Sequence, residues 1–178
     1  AWNDWTSSLL RNLFFKVLNV LERGELASGR AVRSVEKKRQ AVIAAMAGEM
    51  ETDRLETLLN FMSPRYMLYM PAEEIPGHLK LYDKLGDQPF VWQIETSPGA
   101  DTRTVTICGK DRPGLISRIA GVFTLNNINI LDVQVFTWRN NIALDVFEVT
   151  PPPDPIFEDE RWERAGRHLE EALTDRLD

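Results

Sequence analysis

One short stretch of this 178-residue chain combines residue types and spacing suited to ligand chemistry. It is Asp111-Arg112-Pro113-Gly114, followed directly by Leu115, Ile116, Ile119, Ala120, Val122 and Phe123 at helical spacing. Pro113 presets φ for a first helical turn, and Gly114, with no side chain, lets a ligand or a neighbouring backbone come close. A helix starting here leaves the N–H groups of Gly114, Leu115 and Ile116 without intrahelical acceptors. Those groups lie at the positive end of the helix dipole and form a natural carboxylate site. Such dipole help is worth about 0.3–1 kcal/mol when exposed. A plainer structural reading also exists, in which Asp111 caps the helix and Gly114 eases packing. Physics alone does not choose between them.

Elsewhere the chemistry is thin. The single cysteine, Cys108, excludes an intrachain disulfide framework and a cysteine-rich zinc site. It falls within an apolar strand and reads as a small buried hydrophobe. Two histidines, His78 and His168, leave little room for a histidine metal cluster. His78 follows Pro76-Gly77 and is expected to pack at a helix start, and His168 to lie on a helix surface. Asp132 and Asp145, on adjacent strands, read as charges on a solvent-facing edge rather than as paired catalytic carboxylates. The basic run Arg30, Arg33, Lys37, Lys38 and Arg39 reads as a solvated helix face diluted by Glu36. No Ser or Cys nucleophile stands near a His, and there is no phosphate-cradling glycine loop or metal-ligand spacing. The sequence offers no catalytic site.

The elements that must position residues 111–115 follow from the hydrophobic period, which changes once. Up to about Leu85 it is helical. Trp5, Leu9, Phe14, Val17, Leu18 and Leu21 mark a first helix ending near Gly24. Residues 31–46 form a second, with Val32, Val35, Val42 and Met46 as its stripe. Residues 52–62 form a third, carried by Leu55, Leu58, Leu59 and Met62 and stopped at Ser63-Pro64. A further helix runs from about Pro76 to Leu85, and residues 86–89 read as a linker. Beyond it the period is two. Strands are expected at residues 90–95, 102–109, 129–138 and 142–150, with a tight hairpin at Arg139-Asn140-Asn141. A helix covers residues 113–126, and an amphipathic helix at 159–177 carries Trp162, Ala165, Leu169, Ala172, Leu173 and Leu177.

The fold class is therefore α+β, with a helical segment at residues 1–86 and a sheet-containing domain at 87–178. With its first strand set aside, that domain reads βαββα, a ferredoxin-like sandwich lacking its last strand. The chain reads as a fragment, and the open sheet edge is expected to be covered by the extra strand at Phe90, or to face solvent or a partner. Composition agrees with a soluble chain: 43% hydrophobic, 27% charged and a net charge of −6. That charge argues against binding a phosphate backbone. With no apolar run near the roughly 20 residues of a membrane span and no signal peptide pattern, the expected location is the cytoplasm.

Asp111-Arg112-Pro113-Gly114, then a helix, then Asn127-Ile128-Asn129-Ile130-Leu131-Asp132 and a β-hairpin, resembles an ACT domain. The closer resemblance is to the ACT domains of the bifunctional uridylyltransferase/uridylyl-removing enzymes that modify the PII nitrogen-signalling protein. It rests on Leu131-Asp132-Val133-Gln134-Val135-Phe136-Thr137 and Ala143-Leu144-Asp145-Val146-Phe147. Asn3-Asp4-Trp5 through Leu10-Arg11, and Ser63-Pro64-Arg65-Tyr66, resemble the end of that family's HD hydrolase domain and its lead into the first ACT domain. The likeness covers nearly the whole chain. The family's nucleotidyltransferase motif, with its magnesium-binding aspartates, and its His-Asp hydrolase motif do not occur here, nor does a second ACT domain. Pro76-Gly77 falls where the family has uninterrupted helix.

The resemblance implies an amino-acid sensor, with glutamine as its ligand. Carried onto this sequence, the ligand-binding residues are Asp111, Arg112, Gly114 and Leu115, facing Asn129, Ile130 and Leu131. Backbone N–H groups near Gly114 would take the carboxylate, and Asp111 or the Asn129 amide the other polar groups. No cofactor is implied for this segment; magnesium is implied for the family's catalytic domains. Three readings stand. The chain is the regulatory segment of a PII-modifying nucleotidyltransferase, or an ACT–ACT interaction module without ligand, or the regulatory end of a guanosine tetraphosphate synthetase/hydrolase. The Trp-containing first helix and Ser-Pro-Arg-Tyr favour the first over the third.

Overall fold

The computed structural model describes residues 29–97, 101–151 and 157–174. The chain forms two compact units, Ala1–Glu73 and Glu74–Asp178. The helix expected around Trp5 to Leu21, the turn residues 98–100 and Leu177 lie outside the described residues.

In the first unit, α1 (Gly29–Ala45), α2 (Thr52–Phe61) and α3 (Pro64–Tyr69) bury Val42, Met46, Leu55, Leu58, Leu59, Met62, Tyr66 and Met67. Val32, expected on the buried stripe, is 60% exposed; Ala31 is buried in its place. Ser63-Pro64 does end α2 but also starts α3. The Ser63 hydroxyl accepts the Tyr66 N–H at 3.2 Å, and Pro64 fits the first turn, where no N–H is needed. Within the basic run, Lys38 is half-buried rather than solvated. Its Nζ donates to the Leu68 and Met70 carbonyls at the end of α3, where a cation meets the negative helix terminus. Burial lowers its pKa.

The second unit contains α4 (Ile75–Leu85), β1 (Phe90–Thr96), β2 (Arg103–Lys110), α5 (Leu115–Leu125), β3 (Asn129–Thr137), β4 (Ile142–Thr150) and α6 (Glu158–Leu173). It begins at Glu74 rather than near residue 87, so α4 packs with β1 and β2 and belongs to the sheet-containing unit. Pro76 sits in the first turn of α4, as expected. His78 is buried, and burial pulls its pKa down to about 4.

The sheet is antiparallel, in the order β1-β2-β4-β3. This is the α+β, ferredoxin-like arrangement the strand order predicts. The leading strand β1 occupies the outer position beside β2, so that edge is covered from within the chain. Alternation sorts the side chains. Val105, Ile107, Ala143, Phe147 and Val149 form one core with Leu115, Ile119, Val122 and Phe123 of α5 and Trp162, Ala165, Leu169 and Leu173 of α6. Phe123 meets Phe147 edge-on at 5.3 Å, and Trp92 of β1 meets Trp162 of α6 at 6.0 Å. On β2 and β4, Thr106, Cys108 and Leu144 alternate out of phase with that core and point to the opposite face. The Tyr82 ring of α4 packs on Trp138 at 5.5 Å.

Candidate functional site

The loop between β2 and α5 is tied to the β3–β4 hairpin. The Asp111 N–H donates to the Asn141 carbonyl at 2.9 Å, Asn141 Nδ2 donates to the Asp111 carbonyl at 3.1 Å, and Thr137 Oγ1 donates to Asp111 Oδ2 at 2.9 Å. Asp111 therefore anchors the loop rather than capping the helix. The helix starts two residues later than Pro113. Gly114, at φ 81°, is the residue before its first turn, a left-handed conformation that glycine adopts without steric cost. The Leu115 N–H is taken by the Arg112 carbonyl at 3.2 Å. The donors without an intrahelical acceptor are thus the N–H groups of Ile116 and Ser117, one step along from the expected set.

Beside this helix start lies a cavity of about 200 Å³. Asp111, Arg112, Gly114 and Leu115 line it from the loop and α5, and Val135, Ala143 and Asp145 from the sheet. An adjoining void of about 10 Å³ shares Arg112, Leu115, Ala143 and Asp145 with it. Four of the seven expected ligand residues are therefore gathered around one space. Asn129, Ile130 and Leu131 are not. They begin β3, where Asn129 pairs with Thr150, whereas Thr137 at the cavity end pairs with Ala143. Eight residue steps along the strand, about 26 Å, separate the two ends. Within one copy, residues 129–131 do not face the loop.

The Arg112 guanidinium donates to the Leu173 carbonyl, and Arg118 NH1 donates to the Ala172 carbonyl at 2.6 Å. Two cations from the loop and α5 thereby close the C-terminal end of α6, which carries no basic residue in its own last turn. His168 is also engaged. It is half-buried, with Nδ1 at 3.1 Å from Asn126 Nδ2, instead of lying free on the surface.

The sequence reading missed Asp145. It is 1% exposed, not on a solvent-facing edge. It pairs with Ile107 on β2 and Val135 on β3 and shares the helix-facing side of β4 with Ala143 and Phe147. Burial, then the neighbouring Asp111 charge, push its pKa up to about 7, against a hydrogen bond from the Phe136 backbone. Its Oδ1 has no hydrogen-bond partner. The signal was present in the alternation Ala143-Leu144-Asp145-Val146-Phe147, which places Asp145 in phase with two core residues. Asp132 is exposed, as expected. Cys108 is buried, and burial together with the Asp145 charge push its thiol up to about 12, so it stays protonated and inert.

Among the described residues no three His, Cys, Asp or Glu side chains gather as metal ligands, and no helix is long and apolar enough to cross a membrane. The larger groove along α6, about 630 Å³, is walled mainly by alternating arginines and glutamates of that helix's exposed face.

Fold and sequence agree on the class of module: residues 103–156 match the ACT domain family. The second unit carries an ACT domain. Over nearly its whole length the chain is also similar to proteins named bifunctional uridylyltransferase/uridylyl-removing enzyme. It is 33% identical to one from Rhodospirillum rubrum over 177 residues, covering 98% of this chain and 19% of the relative. It is 30% identical to one from Novosphingobium aromaticivorans, covering 99% of this chain and 19% of the relative. For Azospirillum brasilense the figures are 31%, 83% and 16%. The chain spans about a fifth of the length of the first two of these curated relatives.

Proposed function

We propose that this chain is the regulatory segment of a cytoplasmic enzyme that uridylylates and deuridylylates the PII nitrogen-signalling protein. In this reading its ACT domain senses L-glutamine and passes that state to catalytic domains elsewhere in the enzyme, where magnesium would serve nucleotidyl transfer. The observation that carries the reading is the cavity at Gly114, in a chain similar along nearly its whole length to enzymes of that name. The open N–H groups of Ile116 and Ser117 at the helix N-terminus suit the ligand carboxylate, and the loop at Asp111 suits its polar groups.

Calorimetric titration with L-glutamine, with L-glutamate and D-glutamine as controls, tests this. Stereoselective binding is expected, lost on Gly114→Val, because a β-branched residue is strained at φ 81°. The melting temperature should rise with ligand. Absence of both heat and thermal shift would overturn the reading.

A second reading, an ACT–ACT interaction module, is favoured by β3. It is the outer strand beside β4, and Leu131, Val133 and Val135 are exposed along it. Antiparallel pairing of β3 with a second copy, about an axis near Val133, would lay the second copy's residues 129–131 alongside residues 135–137 of the first. The expected site residues would then meet across two copies. Sedimentation equilibrium at rising concentration checks it; a strict monomer would count against it.

A further inference from the structure

The cavity has two electrical ends. One is the start of α5, with the N–H groups of Ile116 and Ser117 and the positive pole of the helix. The other is a pair of carboxylates, Asp111 at the loop and Asp145 on β4. Of these, Asp111 is satisfied by Thr137, whereas Asp145 is almost wholly buried and leaves Oδ1 without a hydrogen-bond partner. A buried acceptor left unmade is costly, and a buried carboxylate more so. A guest with no N–H or O–H donor would leave that cost in place, and a neutral donor would meet the oxygen without offsetting the charge. A cationic N–H donor would remove it, and would also relieve the repulsion between the two carboxylates.

Building on the amino-acid reading above, we infer that Asp145 receives the ammonium group of the ligand while the N-terminus of α5 holds its carboxylate. The cavity is thus matched to a zwitterionic α-amino acid rather than to a carboxylic acid or an amide alone.

The groups around Asp145 fit this role. On β2, Cys108 stays a thiol, and Lys110 is exposed on the wall of the adjoining void. From the loop, Arg112 points a guanidinium nitrogen at the Leu173 carbonyl of α6, and Asp111 adds negative charge. From β3, the Phe136 backbone hydrogen-bonds to the Asp145 carboxylate. Ser117 and Leu115 face the cavity from α5 without charge. In the empty chain Asp145 is partly protonated near neutrality, since its pKa is pushed up to about 7. An ammonium partner favours the ionised form. Binding should therefore release protons near pH 7 and strengthen as pH rises through that region.

The test titrates L-glutamine and its des-amino analogue, glutaramic acid, into the wild-type chain and into Asp145→Asn, in buffers of differing ionisation enthalpy. The expected result is that wild type prefers L-glutamine by at least about tenfold, as befits a charge-assisted hydrogen bond. Proton release should accompany that preference. Asp145→Asn should bind both compounds as weakly as wild type binds the analogue, without proton release. If the variant keeps the preference while Gly114→Val loses glutamine binding, the assignment of Asp145 is overturned and the amino-acid reading survives. If wild type binds neither compound, both fall together. If Asp145→Asn does not fold, the wild-type titrations decide: glutamine binding without proton release overturns the assignment.

Discussion

The two ends of the sheet hold two carboxylates with opposite fates, one partly buried and one almost wholly buried. At the end where β2 begins, Glu158 of α6 receives Arg103 Nε and NH2 at 2.8 Å each and Trp162 Nε1 at 3.0 Å. Burial there raises its pKa, but the hydrogen bonds from Arg103 and Trp162 outweigh it and hold the group below the usual glutamate range. At the end where β2 finishes, Asp145 sits under the same helical layer with one oxygen unmet, and its pKa moves the other way. Asp145 is the more deeply buried of the two, and Glu158 is the one whose oxygens are met by side-chain donors from within the chain. A satisfied carboxylate tightens the fold, and an unsatisfied one beside a cavity leaves an acceptor open, which is the feature the ligand proposal rests on.

The largest expected effect breaks this contrast at Asp145. Its folded pKa lies above its unfolded one, so stability is greatest below the ordinary value of 3.8 and declines as pH rises to about 7. That shift corresponds to about 4 kcal/mol. Asp145→Asn should raise the melting temperature most above pH 7, and the gain should shrink as pH falls and vanish below about 3.8. Identical curves for variant and wild type would erase the distinction between the two ends. Glu158→Gln sharpens it from the other side, with an expected loss of about 2 kcal/mol at neutral pH for a charge-assisted pair. Because the folded pKa of Glu158 is lowered, that difference should vanish as pH falls through it, which urea denaturation at two pH values would reveal. Smallest in stability is Val133→Lys on the exposed strand β3, expected to change unfolding by no more than about 0.5 kcal/mol. It should still weaken self-association in sedimentation, since a charge on an edge strand opposes pairing.

Much of the fold was legible because its elements are long and strictly periodic. Val105 and Ile107 alternate, and Trp162, Ala165, Leu169 and Leu173 recur at three and four, so strand order and helix faces followed directly. The six-residue α3 was not visible, since so short a segment has no period to read and is announced only by its Ser-Pro start. The helix start at Gly114 was legible because one residue type answers a backbone demand. The place of residues 129–131 at the far end of β3 within one copy was not legible, because a likeness in sequence does not say which end of a strand meets which loop. Asp145 was misread because residue type was given more weight than phase. A charged side chain in step with Ala143 and Phe147 is a buried charge, and that placement is the informative feature.

The position of β1 also bears on how the sheet comes into being. Thr96 pairs with Arg103 and Phe90 with Gly109, so the outer strand meets its neighbour across a short connection. A last strand filling the same place would have to return across the whole domain, and the entropy of closing a loop grows with its length. Making the edge from the preceding residues turns a distant pairing into a local one, the kind that speeds folding. The β1–β2 pair needs only residues up to Lys110, so during synthesis it can form before the helices that cover its inner face have been made. That leaves Trp92 waiting for Trp162, and places docking of α6 among the last steps that complete the core.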